Sequence, residues 1–134
     1  MAKKSNGSYK MANDSYLADM ASRPGVRELA NGILYKVLEA GSGKSPGAGS
    51  VVSVYYKGSL INGRVFDDNT GKRIPDAFRL RDLIVGWQIA LRNMREGDRW
   101  QIYIPAAYGY GSRPVPGIPG GSALVFDVRL VKVN

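Results

Sequence analysis

At 134 residues, 44% of them hydrophobic, the chain has room for one domain around one core and is too apolar for a disordered segment. It contains no histidine and no cysteine, which removes the usual general base, the commonest zinc ligand, thiolate chemistry and any disulfide framework. The net charge of +8 suggests an anionic partner, but the basic residues are scattered singly and the densest patch is only Lys3, Lys4 and Lys10 in a polar tail, so nucleic acid is not the expected partner.

Residues 1 to about 12 are polar without periodicity and read as a flexible lead. From Asn13 or Asp14, either of which can cap, Tyr16, Leu17 and Met20 fall at helical spacing until Arg23-Pro24-Gly25 stops a short helix ending near Ser22. Such a helix is too short for a dimer seam, and a monomer is expected. No stretch has the roughly 18 apolar residues of a membrane span, and the first thirty residues lack the apolar core of a secretory signal. A Met-Ala-Lys-Lys start leans cytoplasmic, although an exported chain stripped of its leader would begin in the same way.

Ile33 to Ala40 alternates as a strand, and Val51 to Lys57 forms a second with Val52, Val54 and Tyr56 on one face, broken by Gly58. Asn62-Gly63 predicts a type I′ hairpin pairing Leu60 with Val65-Phe66. Asp67 to Pro75 reads as a polar loop or bulge, and Phe78 to Arg81 as a short strand. Between Asp82 and Asn93, Ile84, Trp87, Ala90 or Leu91, and Met94 recur at three- and four-residue steps, the pattern of an amphipathic helix. Trp100, Ile102 and Ile104 mark the next strand. Residues 105 to 122 hold four of the seven prolines and five glycines, and a loop of that length inside a compact domain is usually functional. Leu124, Phe126, Val128 and Leu130 alternate along a final strand. The fold class is therefore α+β: a twisted antiparallel sheet of five to six strands wrapped over one short amphipathic helix. Residues 1–30 form the lead and short helix, and 31–134 the domain.

Four stretches, in order and spacing, resemble the FKBP family of peptidyl-prolyl cis-trans isomerases: Val52 to Gly58 with Leu60, Gly63 and Phe66-Asp67; Leu83 to Trp87; Ile104-Pro105 to Ala107-Tyr108-Gly109-Tyr110-Gly111; and Ile118-Pro119 to Leu124-Val125-Phe126-Asp127-Val128. The similarity covers roughly residues 30 to 134. Arg23 to Val26 with Gly32 to Leu38 looks like the bacterial branch, in which a helical extension precedes the domain. The resemblance implies a rotamase acting on X-Pro bonds in protein folding, with no cofactor and no metal. It implies that Trp87 is the floor under the proline ring, with Tyr56, Phe66, Leu83, Ile84 and Phe126 as walls and Phe78 beside them. Asp67 and Tyr110 would be the polar rim, Tyr110 and the Ile84 N–H donating to substrate carbonyls, and Ile118 would lie on the loop above. Proline-containing polypeptides and macrolide inhibitors such as rapamycin or tacrolimus are the implied partners. Taken alone, each of these aromatics would read as core; only the shared register of the motifs makes them a pocket.

Two departures stand out. Asp76 occupies a position that in the family is often aromatic or aliphatic, so one wall is expected to be missing or polar. The basic partner of the rim aspartate is represented by either Lys72 or Arg73. Asp76 favours an alternative reading, a chaperone or proline-segment binding module with little turnover, and the +8 charge a second, a nucleic-acid-associated domain whose affinity would fall steeply with salt.

Overall fold

The computed structural model describes residues 2–134, with side chains from residue 7 onward. It consists of helix α1 (Ala2–Ala21), strands β1 (Val26–Glu28), β2 (Leu34–Glu39), β3 (Val51–Ser59), β4 (Val65–Asp68) and β5 (Asp76–Arg79), a 3-10 turn at Leu80–Asp82, helix α2 (Val85–Arg92), and strands β6 (Arg99–Ile104) and β7 (Leu124–Val133). The seven strands form one sheet in the order β1-β2-β6-β7-β3-β4, with β5 also on β3, and every pairing is antiparallel. The extra strand relative to the sequence reading is β1, three residues at the sheet edge, too short to show alternation.

Alternation decides which face is buried. Val52, Val54 and Tyr56 of β3, Trp100, Ile102 and Ile104 of β6, and Leu124, Phe126, Val128 and Leu130 of β7 all point to the core. They meet Trp87, Ala90 and Leu91 of α2 and the adjacent Met94, all buried. The opposite face is half-exposed and ionic: Arg99 makes two hydrogen bonds to Asp127, at 2.9 and 2.8 Å, and Arg129 pairs with Glu39 at 2.6 Å.

Two local expectations are corrected. Gly58 continues β3 instead of breaking it. In register opposite Phe126, it has no room for a side chain, since a Cβ there would lie 2.7 Å from both the Phe126 and Phe66 rings, which pack directly over its backbone. The hairpin after β3 is not type I′, because Asn62 keeps a negative φ and only Gly63, at 88°, is left-handed. The Gly63 N–H bonds to the Leu60 carbonyl and the Leu60 N–H to the Arg64 carbonyl, which closes a three-residue loop with the glycine as its bulge. Asn62 instead accepts from the Arg64 N–H at 2.9 Å.

The largest correction concerns the lead. Helix α1 begins at Ala2, so the segment read as unstructured through residue 12 is helical, Met1 lying outside the described residues. Asn13 is not a cap but a mid-helix residue, 2% exposed. Its Nδ2 donates to the Tyr9 carbonyl and its Oδ1 accepts from the Ala123 N–H. Tyr16 approaches the Tyr103 ring at 6.5 Å. The helix docks with polar and aromatic residues on one face, a pattern that an apolar-periodicity reading passes over. Of the expected basic patch, Lys10 is taken up by Asp14 at 2.7 Å, and the side chains of Lys3 and Lys4 lie outside the described residues.

Candidate active site

Tyr56 from the middle of β3, Phe66 from β4, Trp87 from the first turn of α2 and Phe126 from β7 converge on one side of the sheet. The Trp87 ring stands edge-on between two others, with centroids 5.2 Å from Tyr56 at 90° and 5.2 Å from Phe126 at 86°. Phe66 meets Phe126 at 5.7 Å and 89°, and Phe78 meets Tyr56 at 6.1 Å. Edge-to-face contacts of this kind add about 0.5 to 1.5 kcal/mol each beyond burial and fix ring orientation. Trp87, Phe126 and Tyr56 are buried, and the Trp87 indole N–H is a buried donor with no hydrogen-bond partner among the described residues. The rings enclose a cavity of about 270 Å³ lined by these five aromatics with Asp67, Asp82, Leu83, Ile84 and Tyr110. That volume falls below the range of drug-sized sites and suits a small ring with its flanking amide.

Nine of the ten residues singled out by the sequence thus line one cavity. Ile118 does not. It is buried in the core, outside the cavity lining, and closes a small bridge with Val115 on its loop. Tyr108 also packs on the core and anchors its loop, whereas Tyr110 turns into the cavity. Asp82, in the turn before α2, lines the mouth and carried no signal in the sequence.

The rim differs from expectation in its partners. Asp67 Oδ2 accepts a 2.6 Å hydrogen bond from the Tyr56 hydroxyl, and neither Lys72 nor Arg73 forms an ion pair with it. Lys72 instead pairs with Asp76 at 3.1 Å, and the Arg73 carbonyl accepts from the Tyr55 hydroxyl. Burial first, then the hydrogen bond to Asp67, pushes the Tyr56 phenol far above its ordinary range, so it remains a donor. Burial also raises Tyr110, with the Asp67 charge as a second cause, and its hydroxyl makes no hydrogen bond to the described residues. The Ile84 N–H likewise has no backbone partner among them. Besides the Trp87 indole, two lining residues, Tyr110 and Ile84, therefore carry donors without an internal acceptor among the described residues.

Asp76 is not a wall. It lies outside the cavity lining, accepting from Asn69 Nδ2 at 2.9 Å, and this bond together with Lys72 holds its carboxyl below the usual range. Asn69 is the functional residue that the sequence reading missed. The outer edge of β3 pairs with β5 up to Val54 and with β4 from Lys57 onward, leaving Tyr56 without a strand neighbour on that side. Asn69, 3% exposed, fills the gap. Its Oδ1 accepts from the Tyr56 N–H at 2.6 Å, its backbone N–H donates to the Tyr56 carbonyl at 3.0 Å, and its Nδ2 donates to the Val54 carbonyl at 3.0 Å. One amide side chain thereby satisfies buried backbone groups that the ladder leaves open, and fixes the residue whose ring and hydroxyl form a wall and the rim.

A seven-stranded antiparallel sheet over a helix, with a cavity lined by five aromatic rings from β3, β4, β5, β7 and α2, defines an α+β domain with an aromatic pocket. The match to known proteins makes the class specific. Residues 42–131 match the family described as FKBP-type peptidyl-prolyl cis-trans isomerase. The chain is 45% identical over 121 residues to the peptidyl-prolyl cis-trans isomerase Mip of Coxiella burnetii, covering 90% of this chain and 53% of that protein. It is 39% identical over 140 residues to FkpA of Escherichia coli, covering 98% of this chain and 52% of that one. The chain therefore spans about half the length of these two relatives. Among solved structures, a peptidyl-prolyl cis-trans isomerase from Pseudomonas syringae superposes with a TM-score of 0.89 at 37% identity, covering 96% of this chain and 95% of that one. FkpA from Escherichia coli superposes with a TM-score of 0.92 at 38% identity, covering 98% and 62%. The chain belongs to the FKBP-type peptidyl-prolyl cis-trans isomerase family.

Proposed function

We propose that this chain accelerates cis-trans rotation about X-Pro bonds of polypeptides during folding, using the aromatic cavity as the catalytic apparatus. The observation that carries this reading is the Trp87 ring set perpendicular to both Tyr56 and Phe126 in a cavity with free donors at its rim. Rotation has a barrier of about 20 kcal/mol because it breaks amide resonance, and uncatalysed exchange takes tens of seconds or longer. In the planar amide the oxygen carries extra negative charge, whereas the twisted transition state is less charge-separated. A buried apolar site therefore disfavours the ground state more than the transition state. With the proline ring held on Trp87 and the preceding carbonyl free to turn, binding is tighter to the twisted form, as catalysis requires. Tyr110 and the Ile84 N–H supply hydrogen bonds to substrate carbonyls. No covalent intermediate is needed, in keeping with a chain that lacks histidine and cysteine.

The reading extends to ligands. Rapamycin or tacrolimus, which resemble a twisted X-Pro amide, compete with peptide for the cavity, and the wall missing at Asp76 weakens them. No apolar wall stands at Asp76, which is what favours a binding module without turnover, and the choice between the two readings lies with turnover itself. The test is exchange NMR or a protease-coupled assay on an Ala-X-Pro-Phe peptide series, with rapamycin as competitor. Catalysed exchange abolished by stoichiometric inhibitor is expected. A folded chain that binds the peptides but leaves their exchange rate unchanged would refute the reading.

A further inference from the structure

We propose that helix α1 latches the loop that carries Tyr110, with Asn13 and Tyr9 as positioning residues for the isomerase site. The inference rests on Tyr110 acting as the rim donor. Asparagine is a poor mid-helix residue and costly to bury unless it is bonded, yet Asn13 is 2% exposed in the middle of α1. Its use is external: Oδ1 accepts from the buried Ala123 N–H at 2.9 Å, where the loop enters β7, while Nδ2 returns to the Tyr9 carbonyl at 2.8 Å and fixes the amide's orientation. A turn earlier, the Tyr9 hydroxyl lies 2.7 Å from Ser122 Oγ. The single Ser122 proton goes to the Pro119 carbonyl at 2.6 Å, so Tyr9 is the donor. The adjacent Gly121 N–H donates to the Gly111 carbonyl at 2.8 Å, and Gly111 follows Tyr110. Hydrogen bonds from α1 to Ser122 and Ala123, the backbone that joins these to Gly121, and the Gly121–Gly111 bond thus link the helix to the residue after the rim tyrosine.

The helix does not hold the loop by close packing. A groove of about 970 Å³ separates them, lined by Tyr9, Asn13 and Leu17 on one side and by Ala106, Pro119 and Ala123 on the other. The polar attachments cross this groove at two points, so loss of either should be felt at Tyr110 instead of being absorbed by neighbouring contacts.

The experiment uses the full chain with Asn13→Ala and Tyr9→Phe, each alone and combined with Tyr110→Phe. Tyr9→Phe keeps the ring and removes one hydroxyl, which guards against unfolding by the more severe change. Each single variant is expected to lower kcat/KM for an Ala-Leu-Pro-Phe peptide by about three- to tenfold. Neither should lower it further once Tyr110→Phe is present, because the path ends at that hydroxyl. Amide exchange at Gly111 and Gly121, measured well below the unfolding temperature, should accelerate in both single variants, and this readout does not depend on turnover. Losses that multiply in full with that of Tyr110→Phe, wild-type activity in both variants, or unchanged exchange at both glycines would each overturn the latch. A wild-type chain that fails to turn over peptide would instead sink the isomerase reading, and the exchange data would still decide the latch.

Discussion

Tyr56, Phe66, Trp87 and Phe126 stand on three strands and a helix that share one core, whereas Tyr110 stands on a loop, residues 105–122, built around prolines and glycines. The walls are positioned by burial: each ring is an alternating strand residue or a helix-face residue that would be core in any sheet-and-helix domain, and the absence of a side chain at Gly58 lets the Phe66 and Phe126 rings pack against the β3 backbone. The rim is positioned by hydrogen bonds, from Asn69 to the backbone of Tyr56 and from Gly121 to Gly111. Apolar walls set the dielectric of the site, and the polar rim sets the direction of the substrate carbonyl. The two should therefore fail differently.

The largest expected effect breaks a wall. Phe126→Ala or Trp87→Leu admits water to the floor and should cut kcat/KM by one to two orders of magnitude, about 1.4 to 2.7 kcal/mol. Tyr110→Phe keeps the wall and removes one hydrogen bond, for a loss of about 0.5 to 1.5 kcal/mol. Truncating a large buried aromatic can itself cost about 3 to 5 kcal/mol of stability, so denaturant midpoints must accompany the kinetics. If Tyr110→Phe abolishes activity while folded Phe126→Ala keeps it, the walls are not the catalytic apparatus.

A smaller effect is expected where the two regions join. Asn69→Ala leaves the Tyr56 N–H and the Val54 carbonyl without their buried partner and releases Asp76. A loss of about 2 to 4 kcal/mol in stability is the scale for orphaned backbone groups. Because the β3 backbone at Tyr56 is freed, kcat/KM should also drop several-fold at temperatures where the variant remains folded. Full activity in folded Asn69→Ala would show that Tyr56 is held by its ring contacts alone.

This division also explains what could be read from residue order. The walls were legible because apolar alternation in β3 and β7 and the three- and four-residue steps of α2 are local patterns, and the shared motif register turned core aromatics into a pocket. Asn69 was not legible, since its role exists only where β3 changes partner from β5 to β4, a fact of sheet topology. The same holds for α1, whose docking residues Tyr9 and Asn13 are polar and find their partners more than a hundred positions away, at Ser122 and Ala123. At Asp76 the expected wall is missing, because the carboxylate turns toward Asn69 and Lys72 and away from the cavity lining. At Ile118 the motif matches while the side chain goes to the core.

The smallest expected effect is the absence of one, and it separates environmental catalysis from proton chemistry. Tyr56 and Tyr110 both have phenols raised by burial, with Asp67 adding to the shift in each case, so both hydroxyls stay protonated through neutral and mildly alkaline pH. The chain has no histidine to titrate between them and the carboxylates. Across about pH 6 to 9, kcat/KM should be flat, without the bell shape that a general acid and base impose. Stability has a definite sign at either end. The folded-state value of Tyr56 lies above the unfolded phenol value of about 10, so above that pH the unfolded chain loses a proton that the folded chain keeps, and stability falls as pH rises. Asp76 is shifted the other way, by Asn69 first and Lys72 second, so what it contributes is present above the ordinary carboxylate value of about 4 and lost as pH falls through its lowered folded value. In Asn69→Ala the acid-side loss should therefore shrink while the alkaline loss from Tyr56 remains. An inflection in kcat/KM between pH 6 and 9, present in wild type and abolished by Tyr110→Phe, would make that hydroxyl a proton donor to the reacting amide and overturn the assignment of catalysis to the walls.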